Sequence, residues 1–207
     1  MHCNPAFRKA DDQQNITFVR KRSFGMLTIN ADGGPLISHI PFQLSEDGSY
    51  VEAHLIRSNP ILQSLQNSSL DAAIVVSGAD SYISPDWYGI SDQVPTWNYV
   101  AVHLRGQLRV LPQEDLHGVL ERLSSGMEMR LAPKPAWTMQ KMSHEMMKKM
   151  MRLIVPIAFD VGAIEGTWKL SQNKSDSARL SAVDGMTVAD MGAEMEALNS
   201  LMKDPPC

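Results

Sequence analysis

Cysteine is scarce: among 207 residues the only thiols are Cys3 and Cys207, one near each end. No Cys-x-x-Cys occurs, so neither a disulfide framework nor a structural zinc site is expected, and both thiols read as free and reduced. Long apolar runs are missing too. No stretch approaches the roughly 20 apolar residues that span a bilayer. The first residues, Met-His-Cys-Asn-Pro, lack the basic segment and apolar run of a secretory leader. A cytoplasmic protein without membrane contact is the expectation. Basic charge is not in excess: 19 Lys and Arg against 23 Asp and Glu give a formal net charge of −4. Such a chain has no global attraction for nucleic acid, so DNA contact would need a local basic patch.

Familiar catalytic signatures are absent as well. No Gly-x-Gly-x-x-Gly follows a strand, and neither a P-loop nor Gly-x-Ser-x-Gly occurs. "HEMMK" at 144–148 opens like a zinc-protease motif but lacks the second histidine at i+4, so no metal is expected there. "RKR" at 20–22 reads as a solvated helix end whose cations complement the dipole, and no helix-turn-helix is evident.

What is present suits a globular chain. Hydrophobic residues make up 43% and charged residues 20%, so one domain over 1–207 with a sizeable core is expected, with a C-terminal helical extension over 174–207. Residues 11–22 read as a short helix capped by Asp11. "GMLTIN", the turn "ADGG", "PLISHIPFQL", the turn "SEDGS" and "YVEAHLI" predict a three-stranded antiparallel meander. "NPILQSLQ" begins a helix, and "DAAIVVSG" is a buried strand. "TWNYVAVHLRGQLRVL" is expected to be the longest strand, with Gly106 at a bulge or close approach. Pro112–Ser125 predicts an amphipathic helix. Met139, Met142, Met146 and Met150 repeat at helical spacing and read as a packing face, one that could also adapt to a partner. "IVPIAFDVGAIEGTWKLSQ" returns to strand, and a final helix is predicted over 187–202, with Thr187 and Asp190 in capping-box positions. Strands in the middle and helices at the ends give a mainly β, α+β fold: an antiparallel, Greek-key-like barrel with peripheral helices.

Four clusters carry candidate chemistry. In "SHIPF", His39 lies on a strand that Pro41 interrupts beside Phe42, which frees backbone groups for a ligand. In "HLIRSNP", a strand ending near His54 runs through Arg57, Ser58 and Asn59 into a helix. Guanidinium, hydroxyl, amide and free helix N–H groups there suit a phosphate or carboxylate. "ISPDWYGISDQVPTWNYVAVH" gathers Trp87, Tyr88, Trp97 and Tyr99, whose flat faces could line a pocket for a planar heterocycle or bury an interface. In "GTWKLSQN", Lys169, Ser171 and Gln172 offer donors to an anionic or carbonyl-rich ligand.

Together these clusters closely resemble the PaiB family of FMN-binding split-barrel proteins, described as negative transcriptional regulators. The matching pieces are "HIPF", "H-x-x-R-x-NP", "YISPDWY", "VPTWNY" with "AVH", and "W-K-L-S-Q-N", in the same order over roughly residues 4–200. The resemblance implies a flavin-type split β-barrel, a homodimer, and FMN in clefts at the dimer interface. Its site residues would be His39, Pro41, Phe42, His54, Arg57, Ser58, Asn59, Trp87, Trp97, Tyr99, Lys169 and Ser171. Flavin barrels similar to pyridoxamine phosphate oxidase carry an Arg-Lys pair at the strand-to-helix junction. Here Arg57 matches the arginine, and the lysine has no counterpart. The aromatic stretch is expected to cover the flavin ring or seal the dimer beside it. Other readings are a flavin oxidoreductase with a nicotinamide donor, a DNA-binding repressor, and a haem protein using His39 or His54. No residue is forced into the role of general acid or base.

Overall fold

The computed structural model describes residues 2–65, 68–189 and 191–205. Its elements, in chain order, are α1 (Asp12–Arg22), β1 (Phe24–Ile29), β2 (Leu36–Leu44), β3 (Tyr50–Ile56), α2 (Pro60–Leu65), β4 (Leu70–Ile83), β5 (Thr96–Val110), α3 (Leu116–Glu128), α4 (His144–Met151), β6 (Ile154–Lys169), α5 (Asp176–Ala189), β7 (Gly192–Ala193) and α6 (Met195–Lys203). Short 3₁₀ turns include Pro5–Phe7 and Pro85–Tyr88. The strands form one sheet in the order β1-β2-β3-β6-β5-β4-β7, and β1 also pairs with β4, which closes the sheet on itself. The β1–β2, β1–β4, β2–β3 and β3–β6 pairs are antiparallel. The expected mainly β fold with peripheral helices is what forms.

The chain divides into two compact units. One holds Ile16–Val75 and Leu104–Ile164; the other holds Met1–Asn15, Val76–His103 and Glu165–Cys207. The first contains the closed part of the sheet. Alternation sends one side of each strand inward, so Leu27, Ile40, Val51, Ile74, Leu108, Ile157 and Phe159 are buried together. The helix α3 lies over β2 and β3. It buries Leu116 and Val119, and Arg122 grips Glu52 of β3 through two hydrogen bonds of 2.6 and 2.7 Å. The β2–β3 turn is tied by Asp47, which accepts from Ser45 Oγ, Ser49 N and Ser49 Oγ. Those donors hold its carboxyl at about 2. Gly106 fulfils its expected role: a Cβ there would sit 1.9 Å from the Asp160 carbonyl oxygen.

In the other unit α5 packs on both α6 and the Pro85–Tyr88 turn. Ala178, Ala182, Val183, Met186, Leu198 and Met202 form that helical core. Gly185 of α5 lets the Trp87 indole approach the helix closely, since a Cβ would fall 2.4 Å from it. The buried guanidinium of Arg179 donates to the Met202 and Lys203 carbonyls and to Asp176, so it ties the end of α6 back to α5.

Three expectations need correction. The longest strand is β6, with 16 residues against 15 in β5. The predicted helix over 187–202 is two helices, α5 and α6, joined through β7. Thr187 lies inside α5 and donates to the Val183 carbonyl instead of capping a new helix; Asp190 lies outside the described residues, as does Cys207. Gly192, at φ +144°, sits so close to Asp80 that a side chain would collide with its carbonyl. That approach turns the chain where helical periodicity alone would have carried it straight on. No helix among the described residues is long and apolar enough to cross a membrane.

Candidate functional site

The strand-to-helix junction after β3 forms as expected. Asn59 caps α2, its Oδ1 accepting from Ile61 N at 2.9 Å, while its Nδ2 donates to Ser38 Oγ of β2 at 2.7 Å. The turn is thereby pinned to the sheet. The Arg57 guanidinium is also fixed. Its Nε donates to the Arg152 carbonyl at 3.0 Å, and its Nη2 donates to Gln113 Oε1 at 2.9 Å and to the Ile154 carbonyl at 3.4 Å. Gln113 Nε2 in turn reaches the Met151 and Ile154 carbonyls. Arg57 is thus clamped to the segment that leads from α4 into β6, with Nη1 unpartnered among the described residues.

Beside this junction opens a groove of about 630 Å³, within the roughly 300–1,000 Å³ common for small-molecule sites. His54, Arg57 and Ser58 line one end, and Trp137 with Met139, Met142, Met147, Met150 and Met151 supply most of the apolar wall. His54 Nδ1 is buried and has no hydrogen-bond partner among the described residues. Burial holds the imidazole below its ordinary range, so it is neutral at pH 7. Trp137 is placed by Glu128, whose carboxylate accepts from Trp137 N at 2.7 Å and pairs with Lys134. Those contacts keep Glu128 below the usual carboxylate range.

Sequence reasoning did not assign Trp137, Gln113 or the methionines to a site. The signal was the methionine repeat, which reads equally as packing. The structure breaks that repeat between a 3₁₀ turn at Met139–Lys141 and α4. Met147 and Met151 join Met150 at the groove, whereas Met146 does not line it and is half exposed.

The remaining anticipated residues fall in two places. His39 is exposed on β2 and stacks on Phe24 at 6.2 Å. Pro41 pairs with Phe24 at the exposed β1–β2 ladder, and Phe42 is wholly buried. None of these three lines the groove. In the other unit, Tyr82 meets Trp87 and Trp97 edge-on at 6.2 and 6.3 Å. Trp97 remains 49% exposed, and Tyr99 is half-buried. Ser171, at φ 61°, is a buried hub. Its Oγ meets Tyr88 Oη at 2.7 Å and accepts from Asn98 Nδ2 at 2.8 Å. Lys169 donates to Thr96 Oγ1 and lies 5.9 Å from the Phe7 ring. Burial lowers its pKa. Lys169 and Ser171 border a smaller pocket of about 240 Å³.

A closed antiparallel barrel with a fixed arginine at a capped strand-to-helix junction and an adjoining apolar groove is a split-barrel protein. Residues 1–163 match the family described as "Putative FMN-binding domain", and the chain belongs to it. It is 28% identical over 183 residues to the Protease synthase and sporulation protein PAI 2 of Bacillus subtilis, covering 87% of this chain and 86% of that one. The resemblance to PaiB proteins read from the motifs is borne out. Among solved structures, an FAD and heme binding protein from Mycobacterium smegmatis superposes with a TM-score of 0.58 at 17% identity, over 83% of this chain and 78% of the other. The flavocytochrome Anf3 from Azotobacter vinelandii does so with a TM-score of 0.51 at 13% identity, over 76% and 67%. At such identities these two likenesses speak for the fold.

Proposed function

We propose that this chain binds FMN, with the isoalloxazine in the methionine-lined groove and the phosphate at Arg57 and Ser58, and that it works as a homodimer of the PaiB type. The observation that carries the proposal is the groove itself. Its wall is apolar, as a planar ring requires, and its polar end combines a fixed guanidinium with a hydroxyl. The buried, unpartnered His54 Nδ1 gives the polar edge of the ring a hydrogen-bonding partner, which a purely structural histidine would lack. FMN, when bound, supplies one- and two-electron redox chemistry. The chain's own residues hold the phosphate, orient the ring and exclude water from its face.

In this reading a second copy covers the site with Trp97 and its neighbours, and the half-exposed indole is the surface that supports it. Lys169 and Ser171 then act beside those aromatic rings. The regulatory role rests on the resemblance to PaiB. A salt-dependent shift of a promoter fragment by the purified protein tests it.

FMN titration followed by tryptophan fluorescence tests the flavin site. The wild type should be quenched, and Trp137→Phe should lose a distinct part of that quenching. Absence of quenching in the wild type would overturn flavin binding. Unchanged quenching in Trp137→Phe would place the ring outside the groove.

A further inference from the structure

On the far side of Arg57 lies a second pocket, of about 850 Å³. Arg57, Met147, Met151 and Arg152 line both cavities, so the two adjoin. Gln113, His117, His144 and Lys148 line this pocket and not the groove. No carboxylate lines it. Arg57 spends its bonds on carbonyl and amide oxygens, and none of Arg57, Lys148 and Arg152 has a carboxylate partner among the described residues. Three cations without an ion-pair partner among the described residues therefore converge on one concavity in a chain of net charge −4, although Glu145 lies one turn before Lys148 on α4.

Helix geometry sharpens the point. Lys148 lies in the last turn of α4, and Arg152 is its C-cap. Cations at a helix C-terminus complement its dipole, which would account for either one. Four residues apart, however, they lie on the same face, an unfavourable like-charge spacing, and the Arg57 guanidinium is clamped to the Arg152 carbonyl beside them. An anion placed among them would relieve that repulsion and meet several charge-assisted donors at once. His117 of α3 and His144 at the first turn of α4 add ring nitrogens, and Gln113 already holds the guanidinium in place.

We propose that this pocket binds a diphosphate-bearing small molecule, separately from the ligand of the methionine-lined groove. A diphosphate group presents several oxygens over a length that one guanidinium cannot cover, which suits donors spread over α3, α4 and the β3 junction. The proposal stands apart from FMN: with the FMN phosphate on Arg57, Lys148 and Arg152 still supply two cations to this pocket.

The test is calorimetric titration of the whole protein with inorganic pyrophosphate, with and without FMN. Saturable binding at about 1 mM or below is expected. Lys148→Ala and His117→Ala should each weaken it, Lys148→Ala by roughly tenfold or more. Lys149→Ala, which removes the same charge from the next residue outside the pocket, should leave it unchanged. These positions are exposed or border the cavity, and unchanged thermal melts will show that the variants fold. FMN binding is read independently from its fluorescence. Absent binding, or equal losses in Lys148→Ala and Lys149→Ala, would overturn the proposal. Displacement of pyrophosphate by FMN but not by riboflavin would overturn it too, because the pocket would then be the seat of the FMN phosphate.

Discussion

Replacing Arg57 by alanine separates its structural role in the junction from the phosphate-binding role proposed for it. Structurally, the guanidinium bonds the Arg152 and Ile154 carbonyls and Gln113 Oε1. A net hydrogen bond is worth about 0.5–1.5 kcal/mol, and the 3.4 Å contact sits at the weak end. Arg57 and Arg152 are exposed, so water replaces much of what is lost. A folding cost of about 1 kcal/mol lowers the Tm of a chain this size by roughly 2–4 °C. Functionally, a hydrogen bond to a charged group contributes about 1.5–3 kcal/mol. The variant should therefore bind FMN roughly ten- to a hundredfold more weakly. Riboflavin lacks the phosphate, and its affinity should change by less than about threefold. Gln113→Ala keeps the charge but releases the fork, and ordering a side chain costs about 0.5–1.5 kcal/mol. It should weaken FMN by about two- to tenfold. Parallel fluorescence titrations with the two flavins measure all of this. Equal losses for FMN and riboflavin would mean that Arg57 only shapes the junction. No loss for either would place the phosphate elsewhere.

The other expectations probe the fold, the histidine and the assembly. His54 has a depressed folded pKa against an ordinary value of 6.5. The unfolded chain therefore binds more protons below that value, and stability falls as pH drops through 6.5 and levels off below the folded pKa. Melts between about pH 7.5 and 5.5 should show a steeper fall for wild type than for His54→Gln; identical slopes would mean that His54 titrates freely. Gly106→Ala drives a Cβ to 1.9 Å from a backbone oxygen and should cost about 3 kcal/mol or more, a Tm drop of roughly 6–12 °C. Gly162→Ala, whose Cβ would lie 3.6 Å from the Arg105 carbonyl, should melt near wild type. Ser171→Gly relieves a left-handed backbone, worth about 1–2 kcal/mol, but takes the partner of the buried Tyr88 hydroxyl and one of the two acceptors of Asn98 Nδ2, the other being Met202 Sδ, at about 1–3 kcal/mol each. A net loss of about 1–3 kcal/mol should appear in denaturant melts, and a gain would mean that water takes over the hub. In the proposed homodimer, Trp97→Ala should weaken association by about 2 kcal/mol, roughly thirtyfold; light scattering that shows the same association as wild type would remove the aromatic face from the proposed interface.

Much of this was legible locally. The meander of β1, β2 and β3 follows from alternation and two turns rich in Asp and Gly, and the Asn59 cap from the residue types that accept helix N–H groups. The 3.6-residue period also gave an amphipathic α3, although the helix begins at Leu116 and not at Pro112 and buries Val119 beside Leu116. What local pattern cannot report is long-range contact. The end of α5 and the start of α6 are set by Gly192 approaching Asp80, far away in sequence. Phe42, His39 and Pro41 share one motif, yet Phe42 turns into the core while its neighbours face outward, as the alternation of a strand demands. The groove needed α4 brought beside the β3 junction, through the carbonyls that hold Arg57, before its methionines could be told from ordinary core.

Methionine walls also bear on how selective the site can be. An unbranched thioether with three rotatable bonds re-packs around an altered shape at small cost. A cavity walled by five such side chains discriminates poorly by contour, in the manner of other adaptable, promiscuous surfaces. In the proposed site, discrimination falls instead to the polar lining, the clamped Arg57 and the buried His54. Flavin analogues substituted on the apolar edge of the ring should thus be accepted almost interchangeably.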